Sequence, residues 1–212
     1  EGVTMKKQGC FAERVYPVLF MALVTIVCIS LTSGIFLSTE ELVRNNETLF
    51  IRRAVLYSAG LSVPPAVSDL EELYRQQVRE IPGQDGEILF YEVSGAGGDI
   101  LSLVTEYAGP GLWGEIIMMV GFSPDLGSLT GLEFTKQNET PGLGGRITEP
   151  WFKEQFRGKE GPFVMVQEGT SRAVNELDSI TGATRTSDYV LNLVNAVWNK
   201  GITVLGKGAG ND

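Results

Sequence analysis

Asp178-Ser179-Ile180-Thr181-Gly182-Ala183-Thr184 stands directly before apolar residues at helical spacing: Val190, Leu193, Val194, Val197 and Trp198. Thr184, Thr186, Ser187 and Asp188 supply the small polar residues that favour a helix start, so the pattern predicts a helix from Thr186 to Trp198 with Thr184 at its N-terminal end. Free backbone N–H groups and the positive end of the helix dipole favour an anion at such a place. Gly182 lets the backbone approach a bulky group without a Cβ clash. The same residues would also serve an ordinary loop and helix cap.

Upstream, Glu139-Thr140-Pro141-Gly142-Leu143-Gly144 forms a second motif, after a strand-like run and before a helical segment with Trp151 and Phe156. Glycines 142, 144 and 145 offer backbone N–H donors, Leu143 an apolar surface and Thr140 a hydroxyl. A third run, Gly111-Leu112-Trp113-Gly114, precedes another strand-like stretch. Trp113 is there either to flank a ligand or to sit in the core at a strand start.

Further out, alternating and β-branched runs predict strands at 87–93, 100–107, 115–122, 129–137 and 163–167, the first two joined by Gly95-Ala96-Gly97-Gly98. A short helix is expected over 150–156. Leu70, Leu73, Tyr74 and Val78 fall on one face of a helix expected over 67–81, with Ser68 and Glu71 in a capping-box arrangement. Pro64-Pro65 breaks an earlier helix over 40–61, and Gly206–Asp212 reads as a mobile tail. This order predicts an α+β domain with an antiparallel sheet and flanking helices.

The motifs resemble those of the FMN-binding domain family, whose hallmark is an acidic residue followed by Ser/Thr-Gly-Ala-Thr. The 139–144 run, with Ile147 and Trp151 after it, is similar to that of the FMN-binding subunits of Rnf and Nqr complexes. The resemblance implies that Thr184 carries FMN through a phosphoester bond made by a separate flavin transferase. It implies that Thr181, Gly182 and Ala183 adjoin the cofactor, that Glu139, Thr140, Gly142, Leu143 and Gly144 lie against it, and that Trp113 flanks the ring. Asp178 would help place the transferase's substrate, or would only cap loop amides. Thr181 and Thr186 are the next candidates for attachment. No catalytic residue set and no metal site is implied. The chain would be an electron-relay subunit of an Rnf-type ferredoxin:NAD oxidoreductase, with other membrane subunits as partners. An Nqr-type subunit, a stand-alone carrier, and a flavin-free scaffold or sensor are the alternatives.

Val15 to Leu37 contains no charged residue. At about 1.5 Å per residue such a helix crosses a hydrocarbon core of roughly 30 Å. Pro17 is expected in its first turn, and no Ala-x-Ala cleavage site follows. Lys6, Lys7 and Arg14 before the span are matched by Arg44, Arg52 and Arg53 after it, so charge does not orient it. The resemblance does: residues 1–14 cytoplasmic, 15–37 a single crossing of the inner or cell membrane, 38–82 a helical connector, 83–205 an extracytoplasmic FMN-binding domain and 206–212 the tail. The absence of histidine excludes a His-containing triad, His-ligated zinc and bis-His haem from this chain, and a net charge of -9 argues against nucleic acid as a partner. Cys10 and Cys28, the latter within the span, make no disulfide framework.

Overall fold

The structure is a computed structural model that describes residues 8–83 and 88–208. It divides into two compact units, residues 1–48 and 49–212. Helix α1 (Gln8–Ser58) supplies the first unit and the opening turns of the second. Over residues 16–37 of the first unit the apolar side chains are exposed, Leu19, Phe20, Ile26 and Phe36 among them, and the most apolar window is wholly unburied. It is the one helix among the described residues long and apolar enough to cross a membrane. Hydroxyls in the apolar stretch bond within the helix: Thr25 to Met21 O at 2.8 Å and Thr32 to Cys28 O at 2.9 Å. In hydrocarbon such internal bonds are the ones on offer. Pro17 lies inside the helix and not in its first turn, because the chain is already helical at Gln8, ahead of the apolar run.

The second unit is built on a sheet of order β1-β2-β3-β4-β5, antiparallel throughout: β1 (Val78–Pro82), β2 (Ile88–Ser94), β3 (Ile100–Pro110), β4 (Glu115–Phe122) and β5 (Leu129–Lys136). Glu87, expected to open β2, lies outside the described residues. Side chains alternate across a strand, and β4 distributes its residues accordingly. Ile116, Met118, Val120 and Phe122 enter one core with Leu132, Phe152, Phe156, Val194 and Trp198. Met119 enters a second core on the opposite face, with Val93, Val104, Ala54, Val55, Leu56, Leu70 and Tyr74. Each large side chain buried this way contributes on the order of 1.5–3 kcal/mol.

Helix α2 runs Val67–Gln77, shorter than expected. Its C-cap, Val78, is extended (φ -110°, ψ 127°), and Val78 to Pro82 become edge strand β1. β-branched Val78 and Ile81 fit a half-buried strand, and pairing with β2 outweighs the small helix preference. The expected capping box is absent too. Ala66 is the N-cap, without a side-chain bond, and the Ser68 hydroxyl donates to Asp69 Oδ1 instead.

After β5 come a 3₁₀ turn (Gly144–Thr148), α3 (Pro150–Glu154), β6 (Val164–Val166), β7 (Glu176–Asp178) and α4 (Thr184–Gly208). Strand β7, parallel to β6, has no alternation long enough to announce it. Helix α4 starts at Thr184 and continues past Trp198, so Gly206 to Gly208 of the expected tail are helical, and residues 209–212 lie outside the described ones. Trp198 packs between Phe122 and Phe163, ring centroids 5.9 and 5.3 Å away.

Candidate functional site

The segment before α4 closes a tight turn in which Ala183 N donates to Ile180 O at 2.9 Å. Gly182 takes φ +83°, a left-handed conformation that a residue with a Cβ adopts only at a cost. Ser187 then ties the turn to the helix: its Oγ accepts from Ile180 N at 3.0 Å and donates to Ala183 O at 3.2 Å. Ala183, Thr186, Ser187 and Val190 are buried, following the helical period. Thr184 and Arg185 are exposed by the same rule. The N–H groups of Thr184, Arg185 and Thr186 head the helix with no intrahelical acceptor, and no acidic residue occupies that first turn.

Beside this turn lies the 139–145 loop. Gly142 has φ +74° and is exposed. Leu143 is 46 % exposed, and one of its methyl groups stands 3.6 Å from where a Cβ on Gly182 would be. Thr140 is exposed, and its carbonyl accepts from Leu143 N and from Gly145 N at 3.1 and 2.9 Å. The Gly145 N–H is therefore spent inside the loop rather than offered to a ligand. The third element is the β3–β4 hairpin tip. Gly111 N donates to Gly114 O at 2.7 Å, and Trp113 projects with 69 % of its surface exposed, which excludes the core role left open for it.

Glu139 joins all of these. It is 4 % exposed, and its carboxylate faces inward. Oε1 accepts from Leu112 N at 2.8 Å and Trp113 N at 3.2 Å, and Oε2 accepts from the Thr186 hydroxyl at 2.7 Å. Three protein donors thus converge on this carboxylate. Thr186, buried at 2 % and engaged with Glu139, is unsuited to be an attachment point. The structure brings Thr184, Gly182, Leu143, Gly144 and the Trp113 hairpin to one place.

Asp178 does not face that place. Its carboxylate accepts from Thr170 N (3.1 Å), Ser171 N (2.9 Å) and the Ser171 hydroxyl (3.0 Å), the loop-capping alternative. The loop so held carries Glu168, a residue the sequence did not single out. Glu168 accepts from Thr181 N at 2.7 Å and lies 3.5 Å from Arg146. The Thr181 N–H, and then the Arg146 charge, hold its carboxyl below the usual range. Arg146 also bonds Glu149 at 3.3 Å and sits over the Trp151 ring. Contacts 13 residues apart and more, across loops without a period, leave no local signal. Exposed Thr181 stands at the rim of this network.

A different cleft of about 600 Å³ lies by α2 and β1, among Arg52, Glu71, Tyr74 and Glu80. Its groups pair with one another, Arg52 with Glu71 and the Tyr74 hydroxyl with Glu80.

A family model described as FMN-binding domain matches residues 111–199, the region containing all three loops. The G subunit of the Na(+)-translocating ferredoxin:NAD(+) oxidoreductase complex of Acetobacterium woodii is 30% identical over 188 residues, covering 84% of this chain and 86% of that one. The G subunit of the ion-translocating oxidoreductase complex of Methanosarcina acetivorans is 26% identical, covering 82% and 89%. Two solved structures share the fold. NqrC of Shewanella oneidensis has a TM-score of 0.64 at 18% identity over 76% of this chain and 97% of that one. The C subunit of the Na(+)-translocating NADH-quinone reductase of Parabacteroides distasonis has a TM-score of 0.63 at 24% identity over 75% and 93%. The chain belongs to the FMN-binding domain family, alongside the G subunits of ion-translocating oxidoreductase complexes.

Proposed function

We propose that this chain is a membrane-anchored flavoprotein subunit that relays electrons within an Rnf-type ion-translocating ferredoxin:NAD oxidoreductase complex. The observation that carries the reading is an exposed threonine at the start of α4, with Leu143 against Gly182 just before it and the Trp113 hairpin tied to the same helical turn. These residues fit FMN. Thr184 offers a solvent-facing hydroxyl for a phosphoester, the first-turn N–H groups and the helix dipole favour the phosphate, and the apolar surfaces of Leu143 and Trp113 suit an isoalloxazine ring. FMN, when bound, supplies the redox chemistry. The chain fixes where that chemistry happens: Thr184 tethers, Gly182 gives a close backbone approach, and Ser187 and Thr186 hold the turn rigid from beneath.

Attachment falls to a flavin transferase that reads the 178–184 segment. Asp178 serves it indirectly, by ordering the loop that carries Glu168 and so the Thr181 backbone. The apolar part of α1 crosses the inner or cell membrane once, N-terminus in the cytoplasm, with the flavin domain outside and facing other membrane subunits. A covalent tether suits that placement, since a cofactor released there is lost.

An Nqr-type role is the second reading. It is less favoured because the C subunit of the Na(+)-translocating NADH-quinone reductase of Pasteurella multocida, 33% identical, is matched over only 42% of its length, against 86% for the Acetobacterium G subunit. The test is flavin fluorescence of the denatured, gel-resolved protein. Wild type should fluoresce and Thr184→Ala should not, with the fold intact. Fluorescence persisting in Thr184→Ala moves the attachment elsewhere, and a dark wild type co-expressed with a transferase excludes covalent attachment. Orientation is read by protease added to spheroplasts, which should cut the domain.

A further inference from the structure

We propose that Glu139 is the positioning residue of this site: its buried carboxylate clasps the Trp113 hairpin to the first turn of α4 and thereby sets the gap in which the flavin sits. The proposal rests on the flavin reading for the nature of the ligand, but the clasp itself is made by this chain alone.

The geometry suits a carboxylate. Three donors converge on it, two backbone N–H groups on Oε1 and one hydroxyl on Oε2. An ionised carboxylate is acceptor-only, with about four lone-pair sites on two oxygens, so it satisfies three donors without presenting a proton of its own. Bonds to a charged acceptor are roughly twice as strong as neutral ones. The donors come from segments 26, 27 and 47 residues away. One side chain thus ties together segments remote from it and from each other in sequence.

Two glycines of the motifs are explained by the clasp rather than by flexibility. A Cβ at Gly111 would lie 2.7 Å from Glu139 Oε1. A Cβ at Gly144 would lie 2.8 Å from Oε2 and 2.5 Å from the Thr186 hydroxyl oxygen. Neither residue has a positive φ, so it is space that demands glycine at each. The Glu139 backbone is itself fixed, its N–H donating to Gln137 Oε1 at 2.7 Å. The outcome is a three-way junction of the elements that carry the exposed residues Trp113, Leu143 and Thr184. Trp113 belongs to the element bonded to one carboxylate oxygen, and Thr184 to the element bonded to the other.

A positioning role differs from a merely stabilising one in what its loss moves. The test uses the full chain in detergent, in flavin-loaded form and as flavin-free Thr184→Ala protein. In the flavin-free background, amide hydrogen exchange over residues 111–114 should be slow with Glu139 and fast in Glu139→Ala. It should be slow again in Glu139→Gln, whose carbonyl still accepts two N–H groups while its amide reaches Thr186. In loaded protein, Glu139→Ala should relieve quenching of the flavin by Trp113 without loss of covalent attachment, and Glu139→Gln should restore it. Thr186→Val cuts only the α4 side, so protection at 111–114 should persist while quenching is lost. Where Glu139→Ala does not fold, that variant decides the matter. Unchanged exchange at 111–114 in folded Glu139→Ala, or full quenching in Thr186→Val, overturns the clasp. A wild type without flavin defeats the flavin reading instead, and the exchange experiment still tests the junction.

Discussion

Gly121→Ala should be among the most damaging single-methyl additions this domain can suffer. Gly121 in β4 and Gly131 in β5 are directly paired across the sheet. Together they form a notch into which the last carbonyls of α1 descend. A Cβ at Gly121 would lie 2.1 Å from Ser58 O, 2.8 Å from Ser58 C and 2.3 Å from the Thr130 hydroxyl oxygen. The first two are backbone atoms, so no rotamer change relieves them. The end of α1 is also pinned from several sides: Thr130 Oγ1 donates to Ser58 O at 2.7 Å, the Ser58 hydroxyl to Met119 O at 3.1 Å, and Arg157 to Tyr57 O at 3.1 Å. Relief requires the helix end to lift and those bonds to lengthen. Overpacking costs typically about 1–3 kcal/mol, and each buried bond lost adds about 1 kcal/mol. Gly121→Ala should therefore destabilise by roughly 3–5 kcal/mol, a large share of the roughly 5–15 kcal/mol available to a domain. Gly98→Ala is the control, since it has φ +85° but nothing within 4 Å, and it should cost only the left-handed strain of about 1–2 kcal/mol. The assay is urea unfolding of the detergent-solubilised chain followed by tryptophan fluorescence. A Gly121→Ala midpoint no lower than that of Gly98→Ala refutes the notch.

Gly131→Ala should behave like Gly121→Ala but less severely in the same titration, since its Cβ would meet Arg157 Nη1 at 2.8 Å and Ser58 O at 2.9 Å, and the guanidinium can shift. Trp198→Ala removes a buried ring between Phe122 and Phe163 and should cost about 3–5 kcal/mol, read by thermal unfolding. Burial, and then the Glu80 and Glu106 charges, push the Tyr91 hydroxyl up to about 12. A raised folded value means stability fully present below the unfolded value of about 10 and lost as pH rises through the folded one. Unfolding midpoints should therefore be flat to about pH 10 and fall toward pH 12, with Tyr91→Phe removing part of that slope. Asp178→Ala should speed amide exchange at residues 168–171 and slow flavin incorporation in early time points of co-expression; normal exchange there would contradict its capping role.

What the sequence made legible is what local physics determines. Thr184 stands at the start of α4 because apolar spacing from Val190 to Trp198 dictates a buried face, and Thr184, Thr186, Ser187 and Asp188 are residues that favour a helix start. Strands β2 to β5 announced themselves because each is long enough for alternation or β-branching to show and each is bounded by Gly or Pro. Strand β1 was hidden because Val78 to Ile81 continue the helical spacing of α2 without a break, and only the free edge of β2 makes an extended conformation better. Strand β7 was hidden by its three residues, too few for any period, and by a parallel partner. Both failures lie where pairing with another strand overrides a weak local preference.

The site divides along the same line: Glu139 was expected among the residues lying against the flavin, and its inward bonds left no sign in the sequence. In sequence it opens a Pro-Gly turn, Glu139-Thr140-Pro141-Gly142, where a charged residue belongs in solvent. What turns it inward is the joint presence of the hairpin amides at 112 and 113 and the Thr186 hydroxyl, none of which has a predictable partner from its own neighbourhood. Burying a carboxylate is costly unless its hydrogen bonds are supplied, so the inward orientation exists only if the three segments are already assembled, and the assembly in turn depends on that carboxylate. Exposure of Trp113 follows: with its own N–H and that of Leu112 committed to Glu139, the indole is left on the outer side of the hairpin tip, beside the loop that exposes Leu143. The residues proposed to meet the flavin could be read singly from the motifs, while the bonds that Glu139 makes between their segments could be seen only once the chain was folded.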